Sequence, residues 1–297
     1  HRIVEPWLQE DSDDLLRLRD QIVWLQEELY KHYEPHNFQN FDDRLVRWLE
    51  NTTNLDDRKS MFRLLDRLFF VGPEQFESLC RASFNGTVHR WIVDQASLDI
   101  VDTDISKSLT AALDKTWFCP VTDSMRINAY LKLNNVAGHS IRPDWRSVER
   151  LGDPAKVLEF VKVQQIERMV LLEDFVGSGS QMESSVLWAT NNLPDLPILL
   201  IPLVCCPKGV EKGTEIAAKH DKVTFAPTLT LGKDQFLLPD PQDNEPPIFA
   251  DVRAVIEKTK GCLGDWQTQP FGFQDTGAVV ALFSNCPDNS LSMLHDR

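Results

Sequence analysis

The sequence predicts an α/β fold: a parallel sheet flanked by helices, with a helical N-terminal extension. Three observations carry that expectation. From residue 153 onward, short continuously apolar runs alternate with amphipathic segments, as strands covered on both faces do. One such run ends in two adjacent acids and a tight Gly/Ser turn before a helix, and open α/β sheets bind ligands at such strand ends. Residues 1 to about 115 carry helical spacing instead. The expected division is a helical region over 1–115 and an α/β domain over 116–297.

In order along the chain, Leu8, Leu15, Leu18, Ile22, Leu25 and Leu29 recur at nearly heptad spacing. A core-facing helix accounts for that stripe, since fewer than four heptads make a weak coiled-coil signal. The sharper reading is a seam with a second copy or a partner subunit, because the stripe has more apolar surface than a short extension needs. Further helices are expected over Asp42–Leu49 and Asp56–Phe70. Pro73 opens a fourth, proline suiting a first helical turn. In the second zone a helix over 153–165 leads to a strand over Met169–Leu172. A helix from Ser180, a strand over Ile198–Ile201, a helix over 208–219 and a strand over Val223–Ala226 follow. The Pro- and Asp-rich stretch Leu237–Pro247 is expected as a surface loop. A helix over Ile248–Lys260 and a last strand over Val279–Phe283 complete the chain.

The most informative stretch is Arg168-Met-Val-Leu-Leu-Glu-Asp-Phe-Val-Gly-Ser-Gly-Ser-Gln181. Amides and hydroxyls exposed at a helix N-terminus bind phosphate. Phe175, Val176, Gly177, Ser178, Gly179, Ser180 and Gln181 are the candidates to present them. Gly177 and Gly179 permit backbone angles and close approach that bulkier residues resist. Ser180 and Glu183 have the spacing of a capping box, and Met182, Val186, Ala189 and Leu193 give the helix one apolar face. An ordinary strand-to-helix turn explains the Gly-Ser-Gly-Ser run by itself. Glu173 and Asp174 argue for a ligand. Two carboxylates at the end of a buried strand need a partner, and an acid in that position accepts hydrogen bonds from ribose hydroxyls.

Val170-Leu-Leu-Glu-Asp-Phe-Val-Gly-Ser-Gly179 resembles the diphosphate-sugar loop of the phosphoribosyltransferase superfamily: apolar residues, two acids, two variable residues, then a small turn. More narrowly, the chain resembles the phosphoribosyltransferase-like domain of prokaryotic conflict systems, whose members accompany retron reverse transcriptases and other anti-phage operons. Trp117-Phe-Cys-Pro-Val-Thr-Asp-Ser-Met-Arg126 and Gly272-Phe-Gln-Asp-Thr-Gly-Ala-Val-Val-Ala-Leu-Phe-Ser-Asn-Cys-Pro-Asp-Asn-Ser-Leu291 support the narrower match. The resemblance implies a phosphoribosyl diphosphate or nucleotide as ligand. It implies Glu173 and Asp174 as catalytic acids on the ribose side, and Mg²⁺ carried with the diphosphate. Ser124 and Arg126 are candidates to meet that diphosphate. Arg142, Arg146 and Arg150 are candidates for a basic hood, although most surface arginines have no such role. Two departures weaken the catalytic reading. Gly177 stands where purine-type transferases often carry an acid, so general acid/base help is absent there. Gln181 stands where a Thr commonly closes the turn. Asn285-Cys-Pro-Asp-Asn-Ser290 suits a ligand-facing turn and a plain turn equally.

Composition narrows the classes. Hydrophobic content of 42% and eight Trp support a real core. A net charge of −14 opposes general nucleic-acid binding, so nucleic acid is expected only through a partner. No apolar run approaches the roughly 20 residues of a membrane span. The N-terminus lacks a signal peptide's basic and apolar regions, and the start at His1 is expected to reflect a trimmed or ordered fragment. The six cysteines lack disulfide or zinc spacing, which suits reduced thiols in a cytoplasmic protein. Pro35 between His32 and His36 spoils a helical metal pair. Three functions follow: an enzyme-type antiviral effector, a nucleotide-binding or regulatory subunit without turnover, and a toxin held closed by its partner.

Overall fold

The computed structural model describes residues 13–35, 41–136, 153–259 and 269–295. It opens with helices α1 (Asp13–Glu28), α2 (Phe41–Glu50) and α3 (Leu55–Leu64), then strand β1 (Phe69–Val71). Helices α4 (Pro73–Ala82), α5 (His89–Gln95) and α6 (Ile105–Asp114) precede strand β2 (Thr116–Pro120). Helices α7 (Ile127–Leu133) and α8 (Pro154–Val163) lead to strand β3 (Arg168–Val176) and helix α9 (Ser180–Asn192). Strand β4 (Ile198–Cys205), helix α10 (Pro207–Lys219) and strands β5 (Val223–Phe225) and β6 (Leu229–Thr230) follow. Helix α11 (Ile248–Thr259) and strand β7 (Val280–Leu282) come last.

Contacts divide the chain into two compact units: Phe76–Leu231, and His1–Gln75 together with Gly232–Arg297. The boundary expected near residue 115 marks where the main sheet begins, at Thr116. The contact division falls elsewhere, because the last sixty-odd residues share a unit with the N-terminal helices.

Unit Phe76–Leu231 holds the main sheet, in the order β2-β3-β4-β5, with β6 pairing the end of β4. Every pairing in it is parallel. All nine residues of β3 and all eight of β4 are buried, so continuous apolar runs were the right signal for strands covered on both faces. Each large side chain buried this way contributes about 1.5–3 kcal/mol. Met182, Val186, Ala189 and Leu193 of the α9 segment pack on Met169 and Leu171 of β3, the face that their spacing predicts. Two glycines bring α10 close. A Cβ on Gly213 would stand 2.4 Å from the Phe225 ring of β5, and one on Gly209 would stand 2.7 Å from Val176.

The other unit is mostly helical. Leu15, Leu18 and Ile22 of α1 are buried in one cluster with Met61 and Phe62 of α3 and Phe249 of α11. Lys258 donates to Asp57 at 2.6 Å between α11 and α3. The leucine stripe is therefore core at these three positions. A docking seam built on them is ruled out, because their side chains are already spent on the unit's own interior. Leu8 lies outside the described residues. The helix expected over Asp56–Phe70 stops at Leu64, and Phe69–Val71 becomes a strand paired in parallel with Val280–Leu282. Local spacing could not show this, since the partner strand comes from the far end of the chain. Among the described residues, no helix is long and apolar enough to cross a membrane.

Leu18→Asp is expected to unfold this unit, not to dissociate an assembly. A buried carboxylate without a partner costs about 3 kcal/mol or more. Trp24, which is 60% exposed, should tolerate Ala within about 0.5 kcal/mol. Thermal melts followed by circular dichroism, with light scattering alongside, separate the two outcomes.

Candidate functional site

The site starts from the length of β3. The strand does not end at Leu172 but runs on to Val176, because β4 keeps pairing it: Phe175 with Val204 and Val176 with Cys205. Glu173 and Asp174 thus lie inside the strand, toward its carboxyl end, and are only 3% and 2% exposed. Two carboxyls so deep need donors, and the segment after β2 supplies them. Val121 N–H still donates to Leu172 O at 2.8 Å. Beyond it, Thr122 N–H donates to Glu173 Oε2 at 2.9 Å, and the Thr122 hydroxyl donates to Glu173 Oε1. The Ser124 hydroxyl donates to Asp174 Oδ1 at 2.8 Å, and Phe175 N–H donates to the same oxygen at 2.8 Å. Ser124, which the sequence put forward for a diphosphate, meets Asp174 here. Thr122 was missed as a single residue, although it stands within the Trp117–Arg126 stretch. Its signal was a hydroxyl two residues before another hydroxyl, just past a buried strand.

The four side chains make a continuous ladder, since the Thr122 and Ser124 hydroxyls also lie 2.8 Å apart. That ladder has three contacts, and the two hydroxyls bring only two protons. A proton shared by the two acids would complete it. The electrostatics favour such a proton. Burial, and next the neighbouring Asp174, push the Glu173 carboxyl well above the usual range, and Asp123 adds to this. Burial also raises the Asp174 carboxyl, against the Ser124 hydroxyl, the strand amides and the Arg126 guanidinium, which favour its charged form. Arg126 thus acts on Asp174 from an exposed position at the start of α7. The pair resembles other carboxyl dyads that share one proton because both cannot ionise side by side.

After the acids, Val176, Gly177, Ser178 and Gly179 turn the chain into α9. Gly179 is the N-cap, at φ +85°, a left-handed conformation that side-chain-bearing residues rarely adopt. A Cβ there would also stand 2.9 Å from Lys212 Cγ of α10. The capping box expected from Ser180 and Glu183 does not form. Helix α9 already includes Ser180, and the Glu183 carboxylate instead pairs with Lys212 Nζ at 3.3 Å. Lys212, which also pairs with Glu215 at 3.4 Å, therefore lays its stem over the turn. Sequence reasoning did not select it, because α10 meets the turn only in the folded sheet. Ser178 and Ser180 face one another at 3.3 Å, and Gln181 is exposed. Gly177 is buried beside Gly209 of α10, which approaches Gly177 O within 3.0 Å of its would-be Cβ.

The remaining candidates are taken in turn. Arg142, Arg146 and Arg150 lie outside the described residues. Cys205 ends β4 and Cys206 follows it, and burial raises both thiols, Cys205 to about 12, so neither supplies a thiolate. The described cysteines are free of disulfides. Ser290 is buried in the other unit and donates to Val280 O at 2.7 Å. A cavity of about 120 Å³ also lies in that unit, among rings such as Tyr30, Phe41 and Phe70. Tyr30 already stacks on Phe41 there, at 4.9 Å. No group of three or more His, Cys, Asp and Glu that could hold a metal occurs among the described residues.

A parallel sheet with an acid pair, a glycine turn and a helix at the carboxyl end of a central strand defines a phosphoribosyltransferase-like domain. The PRTase-CE family model matches residues 45–297, and the chain belongs to that family. No curated protein and no solved structure matches it.

Glu173→Gln mimics the protonated acid. A carboxyl raised in the folded state favours folding fully below its unfolded value, 4.5, and that contribution is lost as pH rises through the folded value. The wild type should therefore lose stability above pH 4.5, by about 1.4 kcal/mol per pH unit while only the unfolded chain is ionised. The variant should lose that slope and melt higher at neutral pH. Melting temperatures between pH 4 and 8 test this, and parallel curves for the two proteins would exclude the shared proton. Gly179→Ala should cost about 1–3 kcal/mol through backbone strain, read from denaturant unfolding.

Proposed function

We propose that this chain binds a phosphoribosyl diphosphate or a nucleotide at Glu173–Gln181. The observation that carries the reading is the buried acid pair immediately before the glycine turn, in a chain of the PRTase-CE family. Glu173 and Asp174 would accept from ribose hydroxyls. The amides from Val176 to Gln181, with Ser178 and Ser180, would hold the 5′-phosphate at the N-terminus of α9. Lys212 would leave Glu183 and Glu215 for that phosphate. Ser124 and Arg126 would stand on the diphosphate side. Mg²⁺ would neutralise the diphosphate when bound with it.

Turnover is part of the proposal, as glycosyl transfer or cleavage of a nucleotide's glycosidic bond. A carboxylate beside the anomeric carbon would stabilise positive charge that develops there. The closed acid pair equally favours a second reading, a nucleotide-binding or regulatory subunit without turnover. The wider role we propose is that of an effector, or partner-held toxin, in a bacterial anti-phage system such as a retron, in the cytoplasm. The resemblance of residues 117–126, 170–179 and 272–291 supports it. A protein partner or second copy belongs to that role, seated elsewhere than on Leu15, Leu18 and Ile22, and nucleic acid would reach the chain through it.

Calorimetry with phosphoribosyl diphosphate and Mg²⁺ tests the core of this reading. Glu173→Gln with Asp174→Asn keeps shape and removes charge, and should weaken binding by about tenfold or more, as loss of hydrogen bonds to charged groups does. Unchanged affinity would take the acid pair out of the site. Phage challenge of cells carrying the paired variant tests the wider role, which would fall if protection were complete.

A further inference from the structure

We infer that Thr122 and Ser124 form an internal plug, the chain's own hydroxyls occupying the acid pair in place of a ligand's vicinal cis-diol. This rests on the ribose-binding reading of Glu173 and Asp174. Each hydroxyl faces one carboxyl, Thr122 on Glu173 and Ser124 on Asp174. The two oxygens are 2.8 Å apart, the close spacing that adjacent cis hydroxyls of a furanose present. The chain therefore reproduces, in two side chains, the oxygen pair that the acids would take from a sugar.

Space makes the two arrangements exclusive. With the hydroxyls in place the acids are 3% and 2% exposed, so no second diol reaches them until Thr122–Ser124 moves. The anchors on either side bound the moving piece. Val121 N–H is held by Leu172 O at 2.8 Å, and Met125 is 2% exposed just before α7. Only three residues lie between, and Asp123 at their centre is exposed while Thr122 and Ser124 are half-buried. The plug thus faces solvent on its outer side, and the hydrogen bond of Val121 to β3 lies before it. Opening breaks the hydrogen bond that Thr122 N–H donates to Glu173 Oε2, 2.9 Å long, as well as the hydroxyl contacts.

Two consequences separate a plug from a pair of ordinary lining residues. The affinity of a ligand for a site that is open only part of the time falls by that fraction. Removing a plug hydroxyl should therefore tighten binding, whereas removing a lining hydroxyl weakens it. The selected ligand class is a pentose 5-phosphate with both the 2′- and 3′-hydroxyls present.

The test is calorimetry of ribose 5-phosphate and 2-deoxyribose 5-phosphate with the whole chain and with Ser124→Ala. The variant should bind ribose 5-phosphate about tenfold tighter, the equivalent of one hydrogen bond to a charged group, and the deoxy sugar should bind both proteins more weakly. Hydrogen exchange on the unaltered protein gives a second measurement that needs no variant. Saturating ribose 5-phosphate should speed exchange at the Thr122 amide. Wild-type binding with equal or weaker binding by Ser124→Ala, or a Thr122 amide that slows on binding, overturns the plug and leaves the ribose site standing. No binding of ribose 5-phosphate by either protein overturns the site, and the plug with it.

Discussion

Two carboxyls inside a fully buried strand are the constraint around which this unit is arranged. Alone, each would be expensive to keep out of water. The segment after β2 makes the arrangement stable by turning its backbone and two hydroxyls onto them. That need explains the path of the chain from Val121 to Met125. It also explains why β3 and β4 must stay paired up to Val176 and Cys205. If the strands parted earlier, water would reach the acids and the hydroxyl ladder would have nothing to order it.

The glycine turn depends on the same geometry from the other side. Strand β3 delivers the chain to Gly177 with its direction fixed, and Gly179 reverses it into α9 through a left-handed angle. Helix α10 closes over this turn because Gly209 and Gly213 remove the side chains that would hold it off. Close approach then places Lys212 above the turn, tethered by Glu183 and Glu215. A positive side chain, a glycine turn and a helix start are thus gathered at one edge, next to an acid pair already occupied by the chain itself. Lys212 is thus held at the turn by two carboxylates, while the acid pair lies behind it in the strand.

The second unit is built by returning chain. Helices α1 and α3 bury Leu15, Ile22 and Met61 only because α11 arrives from the far end of the sequence with Phe249 and Val252. The two-stranded pairing of β1 with β7 has the same origin. An amphipathic helix needs a cover for its apolar stripe, and here the cover lies within the chain.

The sequence by itself determined the α/β class, the strands β3 to β5, the helices between them, and the stretch in which the acids and the turn lie. Those features follow from local physics: apolar runs long enough to be buried on both faces, glycines where a turn is needed, and one apolar face per helix. Glu173, Asp174 and Gly179 were legible for that reason, and Ser124 through its place in the Trp117–Arg126 stretch. Only the tertiary structure decided how far β3 runs, that Glu183 binds Lys212 instead of capping its own helix, and that Leu15, Leu18 and Ile22 of the leucine stripe are core. It alone revealed Thr122 as the partner of Glu173. Each of those outcomes depends on a neighbour distant in sequence: β4 extends β3, α10 takes Glu183, α11 covers α1, and the segment after β2 satisfies the acids. Periodicity describes what a segment needs to bury or pair, but the partner that meets the need is fixed by the fold.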